Sequence, residues 1–84
     1  MQIQTSLDWQ AVHSELRTQI GQLPFNPDLR KMLNNITNMI TELSQIEVEA
    51  RRKNMTHITE PKVKAINESI DRLEKLLLIG HLMK

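Results

Sequence analysis

The side chains able to do acid–base, nucleophilic or metal chemistry are few in this chain and badly spaced for it. There is no cysteine among the 84 residues, which removes thiolate nucleophiles, disulfides and thiolate metal sites together. His13, His57 and His81 come from three separate segments, and no H-x-x-x-H or E-x-x-H spacing joins any of them to a second ligand on one helix face. His57 with Glu60 reads as a solvated pair in a turn. Gly21 and Gly80 are the only glycines, so no glycine-rich phosphate loop can be built. Met32 and Met39 fall on an apolar helical stripe, where methionine serves as an adaptable filler. The expectation is a protein that is not an enzyme and that holds no metal and no cofactor.

Charge offers a second kind of chemistry. Arg51, Arg52, Lys53, His57, Lys62 and Lys64 lie close together, opposed only by Glu60. Residues 1–50 carry three Lys+Arg against six Asp+Glu, and residues 51–84 carry eight against four, so a net charge of +1 hides a split of −3 and +4. A basic patch of Arg51, Arg52, Lys53, Lys62 and Lys64 at an exposed tip can meet phosphates or an acidic protein. Cations at a helix C-terminus also have a purely local role against the helix dipole, worth about 0.3–1 kcal/mol each. That role covers Arg51 to Lys53 but not Lys62 and Lys64, which sit near a helix start. No aromatic side chain is close by to stack on bases, so nucleic acid ranks below a protein partner.

The third resource is apolar surface. Leu76, Leu77, Leu78 and Ile79, followed by Leu82 and Met83, are too many for one seam to bury. Leu76, Leu78, Ile79, Leu82 and Met83 are therefore the expected partner interface, with a second copy or another protein. A milder candidate is the uncharged face of Asn34, Asn35, Thr37, Asn38 and Thr41, whose amides and hydroxyls can bond a neighbouring helix.

These residues must be positioned by helices. Two aromatic residues and no tyrosine argue against strands. Helix 1 is expected over about 6–22, with Thr5 or Ser6 as cap, Leu7 among its apolar residues, and Trp9, Val12, Leu16, Ile20 and Leu23 on one stripe. Pro24-Phe25-Asn26-Pro27 ends it and starts helix 2, with Asn26 as N-cap, Pro27 in the first turn and Phe25 folding back as a hydrophobic staple. Helix 2 spans about 27–53, and Leu29, Met32, Ile36, Met39, Leu43, Ile46 and Ala50 form an unbroken heptad seam. Leu33 and Ile40 widen the seam in its first half; Glu47 takes the corresponding place in the second. Asn54 is a left-handed terminator, Thr59 caps the next helix, and a turn, or else a bend, lies between. Helix 3 spans about 60–79 on Val63, Ile66, Ile70, Leu73 and Leu77, with Gly80 closing it and His81 to Lys84 as a tail.

The fold class that follows is all-α, a single domain over 1–84: a long antiparallel helical hairpin of helices 2 and 3, with the shorter helix 1 packed on one end as in a three-helix bundle. At 1.5 Å per residue helix 2 is roughly 40 Å long and helix 1 about 25 Å, so the basic end of the hairpin is expected to be bare. The N-terminus lacks a basic region followed by an apolar core, and the longest apolar run is far short of the ~20 residues that span a bilayer. A cytoplasmic protein that makes no membrane contact is the expectation.

Trp9, a helix, then Pro24-Phe25-Asn26-Pro27-Asp28-Leu29 and a second helix together resemble the helix–PxNPxL–helix hairpin of type III secretion needle subunits. The apolar stretch from Ala65-Ile66 to Leu76-Leu77-Leu78-Ile79 is similar to the end of the small helical co-chaperones of those subunits. The resemblance implies a helical hairpin that assembles with its own kind or shields one that does; the third long helix departs from the needle pattern. The function read from the residues themselves is a small protein–protein interaction module (adaptor, chaperone or regulator) working through a helix–helix interface. The alternative is a nucleic-acid-binding hairpin that uses the turn at 51–64.

Overall fold

A computed structural model describes residues 1–83. The chain is all-helical. A 3-10 turn at Ser6–Asp8 leads into α1 (Trp9–Gly21), followed by α2 (Pro27–Lys53), a second 3-10 turn at Thr56–Thr59, and α3 (Glu60–Leu82). The molecule is a rod of 49 × 18 × 15 Å, its long axis set by the hairpin of α2 and α3. Lys84, the last residue of the expected tail, lies outside the described residues.

Local chemistry explains most of the boundaries. Thr5 accepts from the Leu7 N–H while Asp8 accepts from the backbone of Gln4 and Thr5, at 2.8 and 3.1 Å, closing a capping box around the first turn. Those two N–H donors hold the Asp8 carboxyl below the ordinary carboxylate value. A carboxylate with a lowered folded pKa lends its stability above its unfolded pKa of about 3.9 and loses it as pH falls through the lower folded value. The Gln4 and Thr5 amide resonances are therefore expected to shift together in an acid titration, with a midpoint below about 3.9; a midpoint at or above that value would remove the box. Asn26 caps α2 through its side chain on Asp28 N–H at 2.9 Å, with Pro27 at the first helical position. At the other end Asn54 is left-handed (φ 56°, ψ 38°), and Met55 N–H bonds the Ala50 carbonyl at 2.9 Å, the pattern of a Schellman close.

Several expectations are corrected. The first turn of helix 1 is 3-10 rather than α, and Leu7, ahead of the apolar stripe, is exposed. Phe25 does not staple α2: it is exposed, with the Arg30 guanidinium 5.4 Å from its ring centroid. Thr59 holds the N-cap position of α3 as expected, but without a side-chain cap bond: it ends the 3-10 turn and its hydroxyl bonds the Thr56 carbonyl. Gly80 does not end helix 3, which continues to Leu82. A Cβ there would lie 2.9 Å from Leu23 Cδ1, so the glycine makes a notch for Leu23 at the end of α1. Gly21 has no left-handed backbone, and a Cβ at that position would have open space within 4 Å. Gly21→Ala is thus expected to stabilise by about 0.5–1 kcal/mol, seen as a higher melting temperature in circular dichroism; no gain would mean the glycine has another use.

The core is one cluster running from Ile3 through the faces of all three helices. On α3 it is the expected seam of Ile66, Ile70, Leu73 and Leu77, all fully buried. On α2 the seam is rotated. Leu33 and Ile40 are buried beside Leu29, Ile36 and Leu43, while Met32, Met39 and Ile46 are half-buried. The cause is α1, which lays Trp9, Val12, Leu16 and Ile20 on the Leu33/Ile40 side and leaves the methionine side open.

The basic tip of the hairpin is bare as expected, residues 51–57 being exposed throughout, but the middle of α3 carries a cover that no helix supplies. Residues 1–5 run on as a strap over α3. Ile3 is 1 % exposed, its N–H donates to Asn67 Oδ1 at 2.7 Å, and Asn67 Nδ2 donates back to the Ile3 carbonyl at 3.0 Å. Ser6 donates through its N–H (2.9 Å) and its hydroxyl to the Glu47 carboxylate on α2, and the Met1 amino group meets Glu74 at 2.7 Å.

Candidate functional site

The five residues expected at a partner interface are all exposed, but they do not share one face. Leu76 and Ile79 line an opening with Leu23, Phe25, Leu29 and Met32, at the end of the rod where α2 starts and α3 finishes. Met83, one turn beyond Ile79, continues that side. Leu78 lies on the other flank of α3 with Gln19 of α1 and His81, and Leu82 follows it one turn on. The side formed by Leu76, Ile79 and Met83 is the richer one. Phe25, 77 % exposed, adds to it from the α1–α2 turn, and Met32 joins it to a smaller groove made with Asn35, Met39, Ser69 and Arg72. Phe25 and Met32 are members that sequence reasoning assigned elsewhere, to a staple and to the seam. What gives them away is the competing Leu33/Ile40 stripe, which α1 uses instead.

The basic patch closes up in space. The hairpin sets the acidic second half of α2 beside the basic start of α3, so Lys62 pairs with Glu42. Arg52 and Lys53 both reach Glu49 at 3.4 Å, and His57 meets Glu60 at 3.1 Å with both side chains exposed. Lys64 lines a shallow groove that also holds Glu60, Glu68 and Asp71. Among the described residues Arg51 and Lys64 make no ion pair, and of the two only Lys64 has carboxylates lining the same groove. Such exposed pairs contribute little to stability, but they lower the field available to a polyanion.

The amide face is partly spent on its own helix. Thr37 and Thr41 hydroxyls donate to the Leu33 and Thr37 carbonyls at 3.0 and 3.2 Å. Asn35 alone of that face lines the methionine groove. His13 rests against Trp9, ring centroids 5.5 Å apart. Among the described residues no group of three His, Cys, Asp or Glu lies close enough to hold a metal ion, and no helix is long and apolar enough to cross a membrane.

No family model, curated protein or solved structure matches the chain. The Pro24–Leu29 segment, on which the likeness to needle subunits rests, is used here in ending α1 and capping α2.

Proposed function

We propose that this chain is a small non-enzymatic interaction module that binds another protein chain through the open apolar end of its hairpin. One observation carries the reading. Phe25, Leu76 and Ile79 are exposed by 77, 45 and 51 % and line one opening, on an end where α1 already covers the other flank. Contiguous apolar surface of this kind marks interaction sites in folded proteins. The basic tip supports the alternative less well, since three of its five cations are engaged by Glu42 and Glu49.

The test compares wild type, Ile79→Glu and the pair Arg51→Glu/Arg52→Glu by light scattering and by crosslinking in an extract of the source cells. A complex, of copies or of different chains, is expected from wild type and from the arginine variant and is expected to be lost with Ile79→Glu. Glutamate is a good helix former at a half-exposed site, so helicity should be retained. A wild type that is monomeric and yields no crosslinked species sensitive to Ile79→Glu would overturn the reading. Binding that disappears with the arginine variant and falls steeply with salt would favour phosphate recognition instead.

A further inference from the structure

We propose that the open side of the hairpin receives a single amphipathic helix of a partner protein, about four turns long, carrying a carboxylate that meets Arg72. The inference rests on the interaction-module reading and names its partner. It begins from a second stripe on α3. Beside the buried seam of Ile66, Ile70, Leu73 and Leu77 runs a row of Ser69, Arg72, Leu76, Ile79 and Met83, also at alternating steps of 3 and 4. Across from it on α2, Met32, Met39 and Ile46 recur every seven residues and are half-buried rather than buried. A purely solvated face has no need of heptad spacing or of so many apolar side chains. Two such rows on antiparallel helices form the groove into which a third helix packs.

The chain already shows what such a groove takes. On the opposite side, the 13 residues of α1 fill the equivalent opening through Trp9, Val12, Leu16 and Ile20. The open side runs from Phe25 to Met39, joined at Met32. At 1.5 Å per residue that stretch is about 20 Å, the length of a helix of about fifteen residues.

Charge fixes the rest. Arg72 is the charged side chain in the stretch between Met32 and Met39, and among the described residues no carboxylate reaches it. Lys62 and Lys75, above and below it on α3, have Glu42 and Asp71. A helix laid over Arg72 strips water from a guanidinium, which is unfavourable unless the incoming face supplies an anion. A second copy packed groove to groove about the middle of this stretch would bring Arg72 against its own counterpart, so a partner with an acid at that position fits better. The occupant is therefore apolar on either side of one Asp or Glu.

The probes are two synthetic helical peptides of about fifteen residues, apolar at the spacing of Trp9, Val12, Leu16 and Ile20, and differing only in a central Glu or Lys. Each is titrated by fluorescence anisotropy against the full chain, its Arg72→Glu variant and its Ile79→Glu variant. Arg72 is exposed, so its variant is expected to keep wild-type helicity. Wild type should bind the Glu peptide about tenfold or more tighter than the Lys peptide. Arg72→Glu should reverse that order, and Ile79→Glu should weaken both. Equal affinities, an order that survives Arg72→Glu, or no binding by either peptide would each overturn the proposal. If the peptides fail to bind but Ile79→Glu dissolves a complex seen by light scattering, the interaction-module reading stands and a different occupant is established. If neither changes, both fall.

Discussion

Leu73→Ala is expected to leave a large fraction of the protein unfolded at room temperature. Leu73 is fully buried in the middle of the α2–α3 seam, where the rod is only two to three helices thick. Truncation there removes buried methyl groups and leaves a cavity that helices held along their whole length cannot easily close, a loss of about 2–5 kcal/mol. A single core in a chain of this size supplies roughly 3–5 kcal/mol in all. The two figures overlap, which turns a stability change into a population change. Urea titration followed by helicity should show a midpoint near zero denaturant. Leu78→Ala, at a position 61 % exposed, should change stability by no more than about 0.5 kcal/mol. Equal effects at the two positions would mean that the seam is not where the burial places it.

The contrast between these leucines shows how far the sequence reaches. Helix 2 was legible to the residue at both ends because its signals are local: Asn26 and Pro27 start it, and a left-handed Asn54 stops it. The α3 seam was legible because only one heptad stripe of that helix is apolar from end to end. The α2 seam was not, since Met32/Met39 and Leu33/Ile40 offer two overlapping stripes. The choice between them is made by α1, which is remote in sequence. Gly80 misled for a related reason: a glycine near a helix end suggests a cap, whereas here its missing Cβ admits Leu23 from the end of α1. The apolar end was recognised as a composition but not divided into faces, although the 3 and 4 spacing already separates Leu76, Ile79 and Met83 from Leu78 and Leu82. Hardest to see was the strap. Ile3 stands alone in a polar segment, and its partner Asn67 is 64 positions away. The traces it left were polar residues beside seams, Glu47 in a seam-like place on α2 and Asn67 next to Ile66 on α3, each a poor fit to an apolar helix face until the strap supplies its bonds.

That strap gives the second large effect. Ile3→Asp is expected to release residues 1–5 and to cost about 2–4 kcal/mol, most of it the lost burial of one isoleucine side chain, worth roughly 1.5–3 kcal/mol, with the rest from polar contacts that go with it. A carboxylate is too costly to desolvate at a site only 1 % exposed. Asn67→Ala attacks the same contact from the other side, leaving the Ile3 N–H and carbonyl without their partners at 2.7 and 3.0 Å, a loss of about 1–3 kcal/mol. The two changes should not add. Once Ile3→Asp has lifted the strap, Asn67 bonds water and its removal has little left to disturb, so the double variant should be close to Ile3→Asp alone. Hydrogen exchange gives an independent reading, with the residue 3 amide losing protection in all three variants while Leu73 in the seam keeps most of its own. Strict additivity, or an Ile3 amide that stays protected without Asn67, would show that the strap is held by something other than the amide clamp. The loss in either single variant is also a loss for α1, because Ser6 and its bonds to Glu47 lie between the strap and Trp9. A released strap is therefore expected to loosen the first turn of α1 on the side away from the open groove, and to leave the Leu76–Ile79 end and its peptide binding unchanged.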